Sequence, residues 1–221
     1  MNHLEALQEA ARNHGVPLSS EHLAKAEAYI NLLVAHNAKT NLTAETDLEA
    51  LYLRHLADAF PAAAYLRKLP LGAAAPRLAD LGSGGGFIGI GLKLAWPEAE
   101  VTLIEAVLRK YDFLNLAAFR TGLRGLRVVK ARAGKPLPVA AAFDAVVERA
   151  LAPLPSAVET AASLLKPGGV FVAYQSQPPD QSQPDLAQAL VRARMTFLDI
   201  MPYRLPREDR DRFLAAFRKE T

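Results

Sequence analysis

Five glycines fall within eight residues at 82–89 of this 221-residue chain, in the run Asp80-Leu81-Gly82-Ser83-Gly84-Gly85-Gly86-Phe87-Ile88-Gly89. Glycines crowded in this way cost backbone entropy, which is offset where the main chain must turn sharply or lie directly against a ligand. The run separates an apolar stretch at 77–81 from a helical pattern at 88–95, and so predicts a strand, a tight turn and a helix. The alternation continues, with apolar runs at 100–104, 126–130, 143–147 and 170–174 and helical patterns at 108–121 and 154–165. This rhythm predicts an α/β fold, a parallel sheet with helices on both faces. Ligands in such sheets collect beyond the carboxyl ends of the strands, where the glycine turn falls.

On either side the pattern changes. Residues 4–13 read as a short amphipathic helix, and a second runs from Ser20, taken as its N-cap, to about Ala38. A third spans about Asp47 to Arg67 and is expected to kink or divide at Pro61. Leu69–Pro76 reads as a linker, giving a helical N-terminal region at 1–70 and a ligand-binding domain at 71–221. After the fifth strand, the Pro- and Gln-rich 176–184 is a surface loop and 185–194 a helix. Apolar runs at 196–203 and 213–217 then flank a charged stretch and predict an antiparallel hairpin that finishes the sheet.

Composition narrows the chemistry. With no cysteine there can be no disulfide, thiolate metal site or cysteine nucleophile. The five histidines, at 3, 14, 22, 36 and 55, show no metal-ligand spacing, so no metal is expected. No apolar run approaches the roughly 18 residues of a membrane span. Met1–Glu5 lacks a basic-then-apolar leader pattern, and a cytoplasmic monomer is expected. Residues 1–70 carry 6 Lys/Arg against 8 Asp/Glu, and 71–221 carry 20 against 15. A polyanionic partner would therefore meet the second region.

Two phasings of the glycine run imply different cofactors. Counted from Gly84, the residues fit G-x-G-x-x-G through Gly86 and Gly89, the dinucleotide fingerprint. Counted from the strand, they fit acid-x-G-x-G-x-G through Asp80, Gly82, Gly84 and Gly86, which resembles S-adenosylmethionine-dependent methyltransferases. The strand closes at Leu81 and the turn opens at Gly82, which favours the second phasing. Glu105, after the second strand, suits the two ribose hydroxyls of either cofactor. Lys166-Pro167-Gly168-Gly169 leading into Val170–Tyr174 resembles the fifth-strand entry of methyltransferases. These likenesses imply a class I (Rossmann-like) S-adenosylmethionine-dependent methyltransferase sheet with an N-terminal helical extension and a C-terminal antiparallel hairpin.

The fourth strand leaves through Glu148-Arg149-Ala150-Leu151, not through the [DN]-P-P-[YF] tetrad that enzymes methylating exocyclic amines resemble there. Methylation of cytosine carbon 5 would need a cysteine. Guanine N7 has a free lone pair, and its methylation needs alignment and exclusion of water but no general base.

Motifs from about Tyr29 onward resemble the GidB (RsmG) family of small-subunit ribosomal RNA guanine-N7 methyltransferases. Asn41-Leu42-Thr43 and Arg54-His55-Leu56-Ala57-Asp58-Ala59 look like the family's N-L-T and R-H-x-x-D-S elements. Asp80–Phe87 looks like its D-x-G-x-G-x-G-[FL] turn, and Arg109-Lys110 with Phe113-Leu114 like its K-R-x-x-F-L helix. Arg132-Ala133 resembles the start of the R-[AV]-E element after the third strand, and Arg149-Ala150 resembles the R-A after the fourth. The resemblance implies S-adenosylmethionine as cofactor and 16S ribosomal RNA or the small subunit as partner. It places Asp80, Gly82, Gly84 and Phe87 along the cofactor, Glu105 on its ribose, Ala133 and Gly134 along the adenine, and Arg149 facing cofactor and incoming base. Asn41, Arg109, Lys110 and Arg132 become RNA candidates, with Arg120 and Arg124 on the same basic face.

Ile88, Gly134 and Gln175 depart from the family's usual Pro, Glu and Lys. A methyltransferase of the same fold acting on a small molecule or protein, a cofactor-binding module without turnover, and a nicotinamide dehydrogenase stay open as alternatives. His55 and Asp58, three apart on a helix, read as a local pair or as substrate-facing groups. Asn41 and Thr43 read as a cap between helices or as a substrate contact. The cluster Arg120, Arg124, Arg127, Lys130 and Arg132 reads as a solvated face or as an RNA contact.

Overall fold

The computed structural model describes residues 2–72, 74–132 and 143–221. Its helices are α1 (His3–Asn13), α2 (Ser20–Thr40), the single turn α3 (Leu48–Ala50), α4 (Ala59–Arg67), α5 (Phe87–Ala95), α6 (Leu108–Thr121), α7 (Leu154–Leu164) and α8 (Pro184–Ala193). Its strands are β1 (Arg77–Leu81), β2 (Glu100–Glu105), β3 (Leu126–Lys130), β4 (Phe143–Arg149), β5 (Leu165–Gln175), β6 (Met195–Tyr203) and β7 (Arg212–Lys219). They form one sheet in the order β3-β2-β1-β4-β5-β7-β6. The first five are parallel, and β7 runs antiparallel to both β5 and β6, which supplies the expected terminal hairpin. The order reverses between β1 and β4, which makes their carboxyl ends the topological switch point where an open α/β sheet receives its ligand.

Alternate residues of the strands feed two cores. Leu78, Ala145, Val147 and Val172 face a core built from α1, α2, α4, α5 and α6. Ala79, Val146 and Phe171 face the core under α7 and α8. The N-terminal helices therefore cover one face of the sheet. They approach closely at Gly91 of α5, where a Cβ would lie 2.5 Å from Ala59 Cβ.

Three expectations are corrected. Ser19, not Ser20, caps α2, its hydroxyl accepting the His22 N–H at 3.2 Å. The helix over Asp47–Arg67 is divided: α3 passes into a π-helical turn at Leu51–Leu56, and α4 begins anew at Ala59. The Ala57 N–H reaches back to the Tyr52 carbonyl at 2.9 Å, which closes the wide turn before Pro61. Pro61 itself sits in the first turn of α4, where its missing N–H is not needed. β5 begins five residues earlier than its apolar run, because Leu165 pairs with Phe143 and the chain bulges before Val170 pairs with Ala145.

Candidate active site

The glycine turn is locked from behind. The Gly82 and Ser83 N–H groups both donate to the Ile104 carbonyl, at 2.9 and 3.1 Å, and the Gly86 N–H donates to Ser83 at 2.7 Å. Gly82, Gly84 and Gly86 take φ of +74°, +57° and +94°, a left-handed conformation that favours glycine. A Cβ on Gly86 would strike Leu114 at 2.7 Å. One on Gly84 would meet nothing nearer than the Gly82 carbonyl at 3.9 Å. The turn thus offers bare main chain on the Gly84 side, a cradle that a side chain would fill.

Asp80 and Glu105 hold this cradle in different ways. Asp80 is buried at the end of β1, and its Oδ2 accepts the Gly89 N–H at 2.9 Å, satisfying a free donor in the first turn of α5. Burial raises its pKa to about 6 against the opposing pull of that N–H and of Arg149. Glu105 brackets the turn: Oε2 accepts from Gly84 N–H at 2.8 Å and Oε1 from Val107 N–H at 2.7 Å. Each oxygen keeps lone-pair capacity for a further donor, so the carboxylate fits ribose hydroxyls.

Beyond β4 lies a buried ionic cluster. Asp58 is fully buried, and its carboxylate accepts from Arg149 Nη1 at 2.8 Å and from the Tyr203 hydroxyl at 2.6 Å. Arg212 stands 3.6 Å from the same carboxylate, and the Tyr174 hydroxyl donates to the Asp58 carbonyl at 3.1 Å. These groups line a cavity of about 440 Å³ together with Gln175 and the β6–β7 turn. Asp58 holds the Arg149 pKa above its ordinary value against burial, and burial together with Asp58 raises the Tyr174 and Tyr203 pKa values. The local His55–Asp58 pair is not formed, because Asp58 turns to these donors. Instead the His55 ring packs on Phe87 with centroids 4.9 Å apart. Glu148, also buried, accepts the Leu151 N–H, and Ala150 takes φ +58°, so the chain leaves β4 in a strained turn.

Several other candidates fall on the rim. Asn41 is the exposed left-handed C-cap of α2, with φ +51°. Its neighbours are held by Asn37, whose Oδ1 accepts from the Leu42 and Thr43 N–H groups at 2.9 and 3.0 Å. Arg109 and Lys110 open α6 immediately after Glu105, and Arg132 follows β3. Among the described residues no carboxylate pairs with Arg109, Lys110, Arg120, Arg124, Lys130 or Arg132, whereas Arg127 lies 3.9 Å from Glu100. Ala133 and Gly134 lie outside the described residues. Sequence reasoning missed Asn37 and Tyr29. The latter is buried in α2 and donates its hydroxyl to the Gly85 carbonyl at 2.7 Å. A tyrosine at a core position of α2 was the available signal, since a buried phenol needs a polar partner.

Among the described residues no group of three or more His, Asp or Glu is placed to hold a metal, and no helix is long and apolar enough to cross a membrane. A family model described as rRNA small subunit methyltransferase G (GidB) matches residues 22–204. The ribosomal RNA small subunit methyltransferase G of Lysinibacillus sphaericus is 32% identical over 96% of this chain and 88% of its own length. That of Myxococcus xanthus is 34% identical over 98% and 97%. The fold is shared with a putative methyltransferase from Bacillus halodurans, at TM-score 0.53 and 16% identity over 72% of this chain and 99% of that one. It is shared as well with a SAM-dependent methyltransferase from Methanosarcina mazei, at TM-score 0.53 and 15% identity over 67% and 94%. The family match, the near-full-length relatives and the sheet place the chain in the rRNA small subunit methyltransferase G family, as an S-adenosylmethionine-dependent methyltransferase of 16S ribosomal RNA.

Proposed function

We propose that the target atom is N7 of a guanosine and that the main-chain cradle at Gly82–Gly86, bracketed by Glu105, holds the methyl donor. The observation that carries this reading is the bare left-handed turn at the switch point of the sheet, facing open space at Gly84. S-adenosylmethionine supplies an electrophilic methyl group. Gly82 and Gly84 give main-chain contact, Phe87 an apolar wall, Glu105 two acceptors for the ribose, and Ala133 and Gly134 the adenine side. Asp80 keeps the turn seated by holding Gly89.

Arg149 stands at the exit of β4, fixed by Asp58, where it can orient the base. Of the carboxylates nearest it, Asp58 is committed to Arg149 and Tyr203, and Glu148 to the Leu151 N–H. This suits an acceptor nitrogen that loses no proton. Arg109 and Lys110 follow the carboxyl end of β2 and Arg132 that of β3, and with Asn41 at the end of α2 they offer contacts to phosphate and sugar. In this reading 1–70 forms one wall of the cleft, 71–221 holds the cofactor, and the protein works as a cytoplasmic monomer.

Incubation with labelled cofactor and small subunits from cells lacking the enzyme should yield labelled 7-methylguanosine on nucleoside analysis. Label confined to protein or small molecules would overturn the N7 reading.

A further inference from the structure

Helix α6 buries Phe113, Leu114, Ala117 and Thr121, which leaves Leu108, Asp112, Asn115 and Phe119 as an exposed stripe at helical spacing. The stripe starts beside Arg109, near the carboxyl end of β2, and ends about 15 Å further on at Phe119. Arg120 follows directly, and Arg124 lies in the loop to β3. Among the described residues Phe119 and Val191 of α8 are the most exposed large apolar side chains, at 82% and 79%. Their surroundings differ in charge. Beside Val191, Arg192 is paired with Glu159 at 2.6 Å and Arg194 with Glu220 at 3.6 Å. Beside Phe119, neither Arg120 nor Arg124 is paired with a carboxylate among the described residues, and the one acid in α6 is Asp112, two turns away.

An aromatic face in water with free guanidinium groups beside it suits one kind of partner. Guanidinium groups bind phosphate, and a phenyl ring stacks on any base that is not already paired. Free cations with an aromatic among them therefore complement a nucleic acid with unpaired bases, and the substrate of this family is such a molecule. We infer that the far end of α6, from Phe119 to Arg124, is a second docking surface for 16S ribosomal RNA, outside the cleft. Phe119 is the platform on which an unpaired base stacks, and Arg120 and Arg124 hold the flanking phosphates. The inference rests on ribosomal RNA as substrate and on neither the target atom nor the cofactor placement.

Cross-linking and filter binding on the full chain test this, with small subunits from cells lacking the enzyme as the probe. Photoreactive p-benzoylphenylalanine in place of Phe119 should cross-link to 16S ribosomal RNA, and the same group in place of Val191 should not. Phe119→Ser should weaken subunit binding about tenfold, the size of one lost base stack, without changing the slope of log affinity against log salt. Arg120→Ala with Arg124→Ala should weaken it as well and lower that slope by about 1.5. Phe119→Trp, which keeps a stacking face, should bind as the wild type does, and so should Val191→Ser. A cross-link from position 119 to ribosomal protein alone, or to nothing, would overturn the inference. So would Phe119→Ser with unchanged affinity, or with a loss that Val191→Ser shares. Subunits that bind but gain no 7-methylguanosine would overturn the N7 reading and leave this one standing.

Discussion

At Gly84 the demands of folding and of ligand binding separate. Alanine there must adopt φ +57° but meets no neighbour, so it should cost about 1–2 kcal/mol of stability. Its methyl would occupy the cradle, and S-adenosylhomocysteine affinity should fall about tenfold or more in calorimetry. Asp58 is the opposite case. Asp58→Ala leaves the Arg149 guanidinium without its carboxylate and should cost about 3–5 kcal/mol in denaturant unfolding. Tyr203→Phe, which removes one donor to that buried carboxylate, should cost about 1.5–3 kcal/mol. His55 sets a pH dependence. Burial sets its folded pKa at about 4, below the ordinary histidine value of 6.5, so the unfolded chain binds more protons between those values and stability falls as pH drops through that window. His55→Phe should flatten this slope in melts taken from pH 7 to pH 4, after allowance for Asp80. That residue, raised to about 6, acts in the opposite sense, favouring the folded state as pH drops. The glycines and Glu105 were legible in the sequence because their requirements are local: a turn after a strand, a carboxylate after the next. The Asp58 cluster was not legible. Its members are 91 and 145 residues apart, and nothing in Asp58 itself says which cation it will meet.

At the scale of elements, hydrophobic period located the parallel strands to within a few residues, since strands buried on both faces are short apolar runs between turns. It could not show the division of the third N-terminal helix. Leu51, Leu53 and Leu56 are buried in the π-helical turn as they would be in an α-helix, and only the backbone hydrogen bonds distinguish the two. The contact between α4 and α5 was equally hidden, because Gly91 and Ala59 matter through their smallness. Gly91→Ala would place its methyl 2.5 Å from Ala59 Cβ and force the helices apart. A loss of about 1–3 kcal/mol is expected by thermal unfolding, with weaker S-adenosylhomocysteine binding because both helices flank the cleft.

For the whole molecule, the net charge of +3 says less than its placement. The cations that open α6 and follow β3 stand unpaired among the described residues, on the side of the sheet where the cleft opens. Arg109→Ala with Lys110→Ala should weaken RNA binding across sequences and lower the slope of log affinity against log salt by about 2, with S-adenosylhomocysteine affinity unchanged. Filter binding at several salt concentrations measures it. The insertion of β7 between β5 and β6 sets an order of assembly. As the polypeptide leaves the ribosome, β6 emerges before it has any neighbour to join, and Tyr203 cannot reach Asp58 until the following strand has closed the gap. Tyr203 therefore completes the set of donors around Asp58, and with it the support of Arg149, only once β7 has paired with both of its neighbours.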